Sequence, residues 1–361
     1  MKRHISSQFT VILSIIVFVF LLSDNSMAGE RQWVGWDPKG MHVAAIAIDP
    51  ANTSILYIGT QRGAFRSADG GSNWISISNG LKNTDVLSLA IDPVDTPTLY
   101  AGTRSGAFKS IDGGDNWTLM QSCLYEVAVL AIAVDPANTN TLYAIARDAA
   151  WVVAVFMNHK NESRHESKLR DCAFKSTNGG EKWSSINIGF EELNLKIESL
   201  AIDPSKPSTL YAGTRCGVYK SVDWGAKWPA KKCKLRELHT KALAIDPRNN
   251  NTIYAGTMAG VFKSTDGGNN WTYISKGLAK PDVLTLAIEP NNTATVYAGT
   301  INGIFKSTNG GTNWLEINNG LNKRYIKAFA IDPGNKNILY AGTIDGIYKS
   351  TDGGSNWIVS K

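Results

Sequence analysis

The sequence predicts an all-β fold, a closed ring of seven four-stranded antiparallel blades. Three observations predict it. The eight-residue pattern S-x-D-x-G-x-x-W occurs seven times, twice with Asn in the Asp position. Its tryptophans, Trp74, Trp117, Trp183, Trp228, Trp271, Trp314 and Trp357, follow one another at 43, 66, 45, 43, 43 and 43 residues, a near-constant period with one large break. Each period also carries four short runs rich in β-branched and aromatic residues, bounded by Pro, Gly, Asn or Asp. No stretch keeps a helical apolar period.

Within a unit the first strand ends in Asp-Pro or Glu-Pro, as in "LAIDP", "IAVDP", "LAIEP" and "FAIDP". The second reads "TLYAGT" or a variant, the third "GVFKS" or "GIYKS", and the fourth starts at the motif tryptophan, as in "NWTYIS". The first strand carries Ala47, Ala90, Ala133, Ala201, Ala244, Ala287 and Ala330 at one repeat position. Residues this small suit the crowded wall of a central channel.

The motif between third and fourth strands is read as a turn. Asp69, Asp112, Asp223, Asp266 and Asp352 can accept backbone N–H bonds inside it, and its Gly supplies backbone freedom. Asn178 and Asn309 keep that bonding but cannot serve as general bases. A repeated catalytic acid would not tolerate the exchange; a structural turn does. The tryptophan is expected to wedge between neighbouring sheets.

Residues 1–28 are expected to be a leader. Lys2 and Arg3 precede an apolar run from Val11 to Leu22, and Ser26 and Ala28 fit a cleavage site before Gly29. The run is too short to span a bilayer. Residues 29–361 then form a single domain in an exported chain, periplasmic or extracellular, with no membrane span after cleavage and a monomeric state. The 43% hydrophobic and 19% charged composition is globular. A net charge of +6, about +5 without the leader, is too mild to indicate nucleic acid. Residues 31–36 align with a fourth strand and are expected to latch the ring onto its last blade.

The motif resembles the Asp-box, or BNR repeat, of sialidases, xyloglucanase-like glycoside hydrolases, sortilin-type receptors and photosystem II assembly factors. The resemblance spans nearly all of residues 31–361 and implies a seven-bladed propeller. It leaves function open, because those families differ in activity.

Strand order puts the links between second and third strands on one face with the links between blades. We call that face the top; the motif turns lie on the bottom. Departures from the repeat collect on top. An insertion at about 149–171 has an apolar half around Trp151–Met157 and a charged half around His159–Asp171. Arg62, Arg104, Arg147 and Arg215 occupy second-to-third-strand links of units one to four. Lys231, Lys232, Lys234 and Arg236 form a basic stretch on the same rim. Cys123, Cys172, Cys216 and Cys233 suggest two disulfides in an exported chain. Three pairings exist, and Cys123–Cys172 with Cys216–Cys233 is the favoured one. The His and Cys spacing matches no zinc pattern, so neither metal nor cofactor is expected.

Sialidase chemistry would need an arginine triad, a tyrosine nucleophile and an acid/base Asp. The arginines are present, but the Arg-Ile-Pro signature of that family is absent. The top-face acids Asp85, Asp148, Glu198, Asp282 and Asp345 read as isolated. The expected function is a non-catalytic scaffold that binds a protein partner, or a glycan, at the top face. This is the role the assembly-factor resemblance implies through an Arg-rich face. A glycoside hydrolase or carbohydrate-binding propeller is the alternative.

Overall fold

The computed structural model describes residues 38, 40–81, 85–120, 123–147, 171–186, 196–229, 235, 238–279, 281–322 and 324–360. They form seven antiparallel sheets, each built from consecutive strands in chain order. Blades 1 to 7 span 43–76, 86–119, 128–185, 197–221, 240–273, 283–316 and 326–359. Six have four strands. Blade 4 has three among the described residues, and Pro229, at the place of a fourth-strand residue, has no N–H to give to a ladder. The leader, the latch strand over 31–36, the insertion up to residue 170 and residues 230–234, 236 and 237 lie outside the described residues.

The second strands are buried along their whole length, which is why they read as continuous "LYAGT" runs rather than alternating ones. Their glycine is a matter of space. A Cβ on Gly102 would stand 2.5 Å from the carbonyl oxygen of Val129 in the next blade. The alanines of the first strands serve the same crowding. They pack in the seams between blades, not on the channel wall: Ala90 clusters with Val129 and Ile132 of blade 3, and Ala287 with Ile326 and Phe329 of blade 7. Near the axis the sheets converge, so the seam there admits only small side chains.

The motif is a turn, as its residue types require. In blade 2 the Ser110 hydroxyl donates to Asp112 Oδ1 at 2.7 Å and accepts from the Gly114 N–H at 2.9 Å. Asp112 Oδ1 also accepts from the Asn116 N–H at 2.9 Å. In the two Asn copies the same atom serves: Asn178 Oδ1 accepts from the Lys182 N–H and Asn309 Oδ1 from the Asn313 N–H, both at 2.9 Å. The first motif glycine has positive φ in six copies, for example 70° at Gly113.

Each turn also joins two blades. Trp117 Nε1 donates to the Ile77 carbonyl of blade 1 at 2.6 Å, and Trp228, Trp314 and Trp357 repeat the bond to Ile186, Ile274 and Ile317. A third-strand cation of one blade donates to the carbonyl of the first motif glycine in the next. Arg66, Lys109, Lys220, Lys263, Lys306 and Lys349 do so to Gly113, Gly179, Gly267, Gly310, Gly353 and Gly70. The last of these closes the ring from blade 7 to blade 1, assisted by Tyr340 OH on Gly70 O and Trp74 Nε1 on Ser360 Oγ.

Two outcomes follow. Trp117→Ala, which empties a seam and strands the Ile77 carbonyl, should lower the unfolding free energy by about 3–5 kcal/mol in urea titration. Hydrogen bonds, from the Asn73, Asn116 and Asn356 side chains first, hold Asp69, Asp112 and Asp352 down to about 2 from 3.8. Because the folded value lies below the unfolded one, the stability of the ionised forms is complete above pH 3.8 and disappears as pH falls toward 2. The urea midpoint should drop across that window, and replacing all three by Asn should flatten the drop.

Candidate functional site

The top face rests on two kinds of element. In six of the links between second and third strands, all but that of blade 3, a Thr closes the turn: Thr103 Oγ1 donates to the Gly106 carbonyl at 3.0 Å and accepts from the Ser105 N–H at 3.0 Å. Thr60 and Thr214 do the same beneath Arg62 and Arg215. The arginines therefore project from fixed turns. Arg104 and Arg215 share a repeat position with Gln61, Met258, Ile301 and Ile344; Arg62 stands one residue further on. All three arginines are exposed. Arg147 differs. It ends a six-residue second strand, opposite Ala128 and Asp171, and is 9% exposed. Lys231, Lys232, Lys234 and Arg236 lie outside the described residues.

The second element is a bulge at the top of every first strand. The register against the second strand skips one residue in each blade. The skipped residues are Ala44, Leu87, Leu130, Glu198, Lys241, Leu284 and Lys327, all buried. Ala44, Leu87 and Leu130 pack in one apolar cluster, which draws blades 1 to 3 together at the channel mouth. Blades 4, 5 and 7 place charges there instead.

Around those charges the acids read as isolated in sequence are paired. Asp85 Oδ2 meets Arg104 Nε, Glu198 Oε1 lies 3.5 Å from Arg215 Nε and 3.7 Å from His239 Nδ1, and Lys241 Nζ reaches Asp282 Oδ1 at 2.6 Å. Lys327 Nζ stands over the Tyr325 ring at 5.0 Å. Asp345 contributes its main-chain carbonyl to the Gly40 N–H, and Asp148 lies outside the described residues. Burial, then Lys327, pushes His42 down to about 4, so its imidazole is neutral near pH 7. Burial, then Lys241, lowers Lys327 to about 8 against the pull of Asp282. The face thus carries exposed guanidinium groups over a buried layer of acid–base pairs.

Sequence reasoning named the arginines and Glu198, but missed that Glu198, Lys241 and Lys327 occupy one bulge position. Their signal is a single repeat column, five residues before the Asp or Glu of each Asp-Pro or Glu-Pro, where only units four, five and seven are charged. Cys172 is buried in the cluster against which Cys123 packs, Cys123 Sγ contacts the Trp183 carbonyl at 3.9 Å, and Cys216 packs on a second cluster. Cys233 lies outside the described residues. Among the described residues no three His, Cys, Asp or Glu side chains converge as a metal site.

Lys327 supplies a pH test. Its folded value, about 8, lies below 10.5, so the folded state loses this proton first and stability rises as pH climbs through that window. Lys327→Met should therefore stabilise the protein at pH 7 by on the order of 3 kcal/mol. Its advantage over the unsubstituted chain should shrink between pH 8 and 10.5 in denaturant titrations.

Residues 175–354, just under half of the chain, match the family model described as photosynthesis system II assembly factor YCF48. No curated protein matches the chain in sequence. Among solved structures, the GH74 xyloglucanase from Xanthomonas campestris aligns with TM-score 0.71 and 16% identity over 90% of this chain and 55% of that one. An ancestral GH74 enzyme gives 0.71 and 20% over 92% and 48%, so this chain spans about half the length of those enzymes. YCF48 from Cyanidioschyzon merolae aligns with TM-score 0.62 and 15% identity over 87% of this chain and 96% of that one. A YCF48 structure bound to D1 peptide gives 0.60 and 15% over 87% and 94%. The chain is a seven-bladed β-propeller that resembles the BNR type, similar in fold to GH74 enzymes and, over nearly their full length, to YCF48.

Proposed function

We propose that the chain is an exported, non-catalytic propeller that binds an acidic segment of a protein partner across the top of blades 1, 2 and 4. The observation that carries this reading is the set of three exposed arginines on turns fixed by Thr60, Thr103 and Thr214, where blades 5 to 7 hold apolar Met258, Ile301 and Ile344. Guanidinium groups on rigid turns suit carboxylates because little side-chain order is lost on binding. The similarity to a YCF48 structure with a bound D1 peptide supports a protein ligand.

A hydrolase reading gains less support. Glycoside hydrolysis uses two carboxyl groups about 5–9.5 Å apart flanking one bond. Here Asp85, Glu198 and Asp282 belong to blades 2, 4 and 6 and each is engaged by a cation. Incubation with β-glucans and sialosides should release no sugar; release would favour the hydrolase.

Charge reversal tests the binding reading. Arg104→Glu with Arg215→Glu should weaken binding of an acidic peptide at least tenfold and remove the salt dependence of the remaining affinity, measured at a temperature where circular dichroism shows the variant folded, because Arg215 also neutralises the buried Glu198. Equal binding by the double variant would contradict the proposal.

A further inference from the structure

The bottom face breaks its own repeat at one seam. Six blades place glycine at the first motif glycine position; blade 4 places Trp224 there. Trp224 keeps the left-handed backbone of that position, φ 56°, which a bulky side chain adopts at a cost of about 1–2 kcal/mol. Its indole is 50% exposed, whereas the motif tryptophan of the same blade, Trp228, is fully buried.

The substitution changes the seam between blades 3 and 4. At the other six seams a Lys or Arg donates to the glycine carbonyl. At three of them a Tyr hydroxyl donates to the same oxygen. The equivalent residues here are Lys175 and Tyr143. Lys175 Nζ instead stands over two rings, 5.6 Å from the Trp224 centroid and 5.7 Å from that of Tyr143. The buried Tyr143 hydroxyl has no hydrogen-bond partner. At this seam neither donor makes the shared bond to the turn carbonyl that its counterparts make, although Trp224 has a main-chain carbonyl of its own, and both lie beside an exposed aromatic face.

A cleft of about 570 Å³ opens at this place, lined by Trp224, Lys175, Asp135, Asn138, Thr177 and Ser205 among others. We propose that the cleft binds a neutral pyranose with equatorial hydroxyls. Such a sugar presents a flat face of axial C–H groups to an indole, and its hydroxyls both donate and accept. One hydroxyl oxygen would accept from Lys175, and others would meet Asn138, Thr177 and Ser205. A proline-rich peptide could stack on Trp224, but its ring offers nothing to Asp135 or Asn138. Asp135, close enough to Lys175 to oppose the fall of its pKa, shares the lining with Lys175 and Lys206, and the polyanionic arm of the test separates a sugar from an anion. The site lies on the face opposite the arginines and does not depend on the protein-binding reading.

The test is calorimetric titration of the full chain with cello-oligosaccharides, with a proline-rich peptide and a polyanionic peptide as separate arms. The unsubstituted chain should bind the sugars at millimolar or lower concentration and neither peptide. Trp224→Gly restores the repeat residue and should melt at the same or a higher temperature, yet weaken sugar binding at least tenfold. Thr177→Val should keep the fold and weaken binding severalfold. Absence of sugar binding at millimolar concentration, equal binding by Trp224→Gly, or Trp224-dependent binding of either peptide in place of the sugars would overturn the proposal.

Discussion

The ring depends on hydrogen bonds exchanged across its seams, with the cation-to-carbonyl bond present at six of the seven. A third-strand cation, Lys349 at the closing seam and its counterparts elsewhere, donates to a glycine carbonyl of the next blade. The same turn sends its tryptophan back to the main chain of the blade before it, as Trp357 does to Ile317. Buried carbonyls that would otherwise be orphaned are satisfied across sheets that share no ladder. The glycine needs its left-handed backbone to present that oxygen, and the Ser–Asp bonds hold the turn in shape. The acid in the motif therefore serves geometry, and Asn178 and Asn309 serve as well because only their Oδ1 is used.

That division of labour explains why the two faces differ. The bottom is occupied by turns that make the ring, so five of its motif copies carry Asp and the other two an equivalent amide. In the six blades other than blade 3, the top carries links closed by Thr and Gly alone, which leaves the residues between them free to vary. Blades 1, 2 and 4 use that freedom for arginine and blades 5 to 7 for apolar or small residues. Beneath them the bulges turn one residue per blade out of register, apolar in blades 1 to 3 and charged in blades 4, 5 and 7. A buried charge is tolerated where an opposite charge lies beside it, as Asp282 does for Lys241.

Much of this was legible in the sequence. The tryptophan spacing counts the blades, and the exchange of Asp for Asn identifies a turn rather than a catalytic acid. The arginines stand out because the links that hold them repeat. What was not legible depends on contacts between blades. Asp85, Glu198 and Asp282 looked solitary because the linear repeat does not show which cations the bulges and links bring near. The alanines were assigned to the channel wall because a repeat column says that space is short, not on which side. Trp224 was visible as an irregular letter in "KSVDWGAKW", but its meaning rests on an acceptor shared across a seam, and no single unit contains that seam.

Seams and bottom turns build the ring, and the proposed partner sits across the top of blades 1, 2 and 4. Hydrogen–deuterium exchange of the full chain with and without a bound acidic peptide tests this most directly. The account predicts new protection at the top-face links around residues 61–62, 104–105 and 215–216, with the bottom turns unchanged. Protection confined to the bottom turns, or spread evenly over all seven blades, would contradict it.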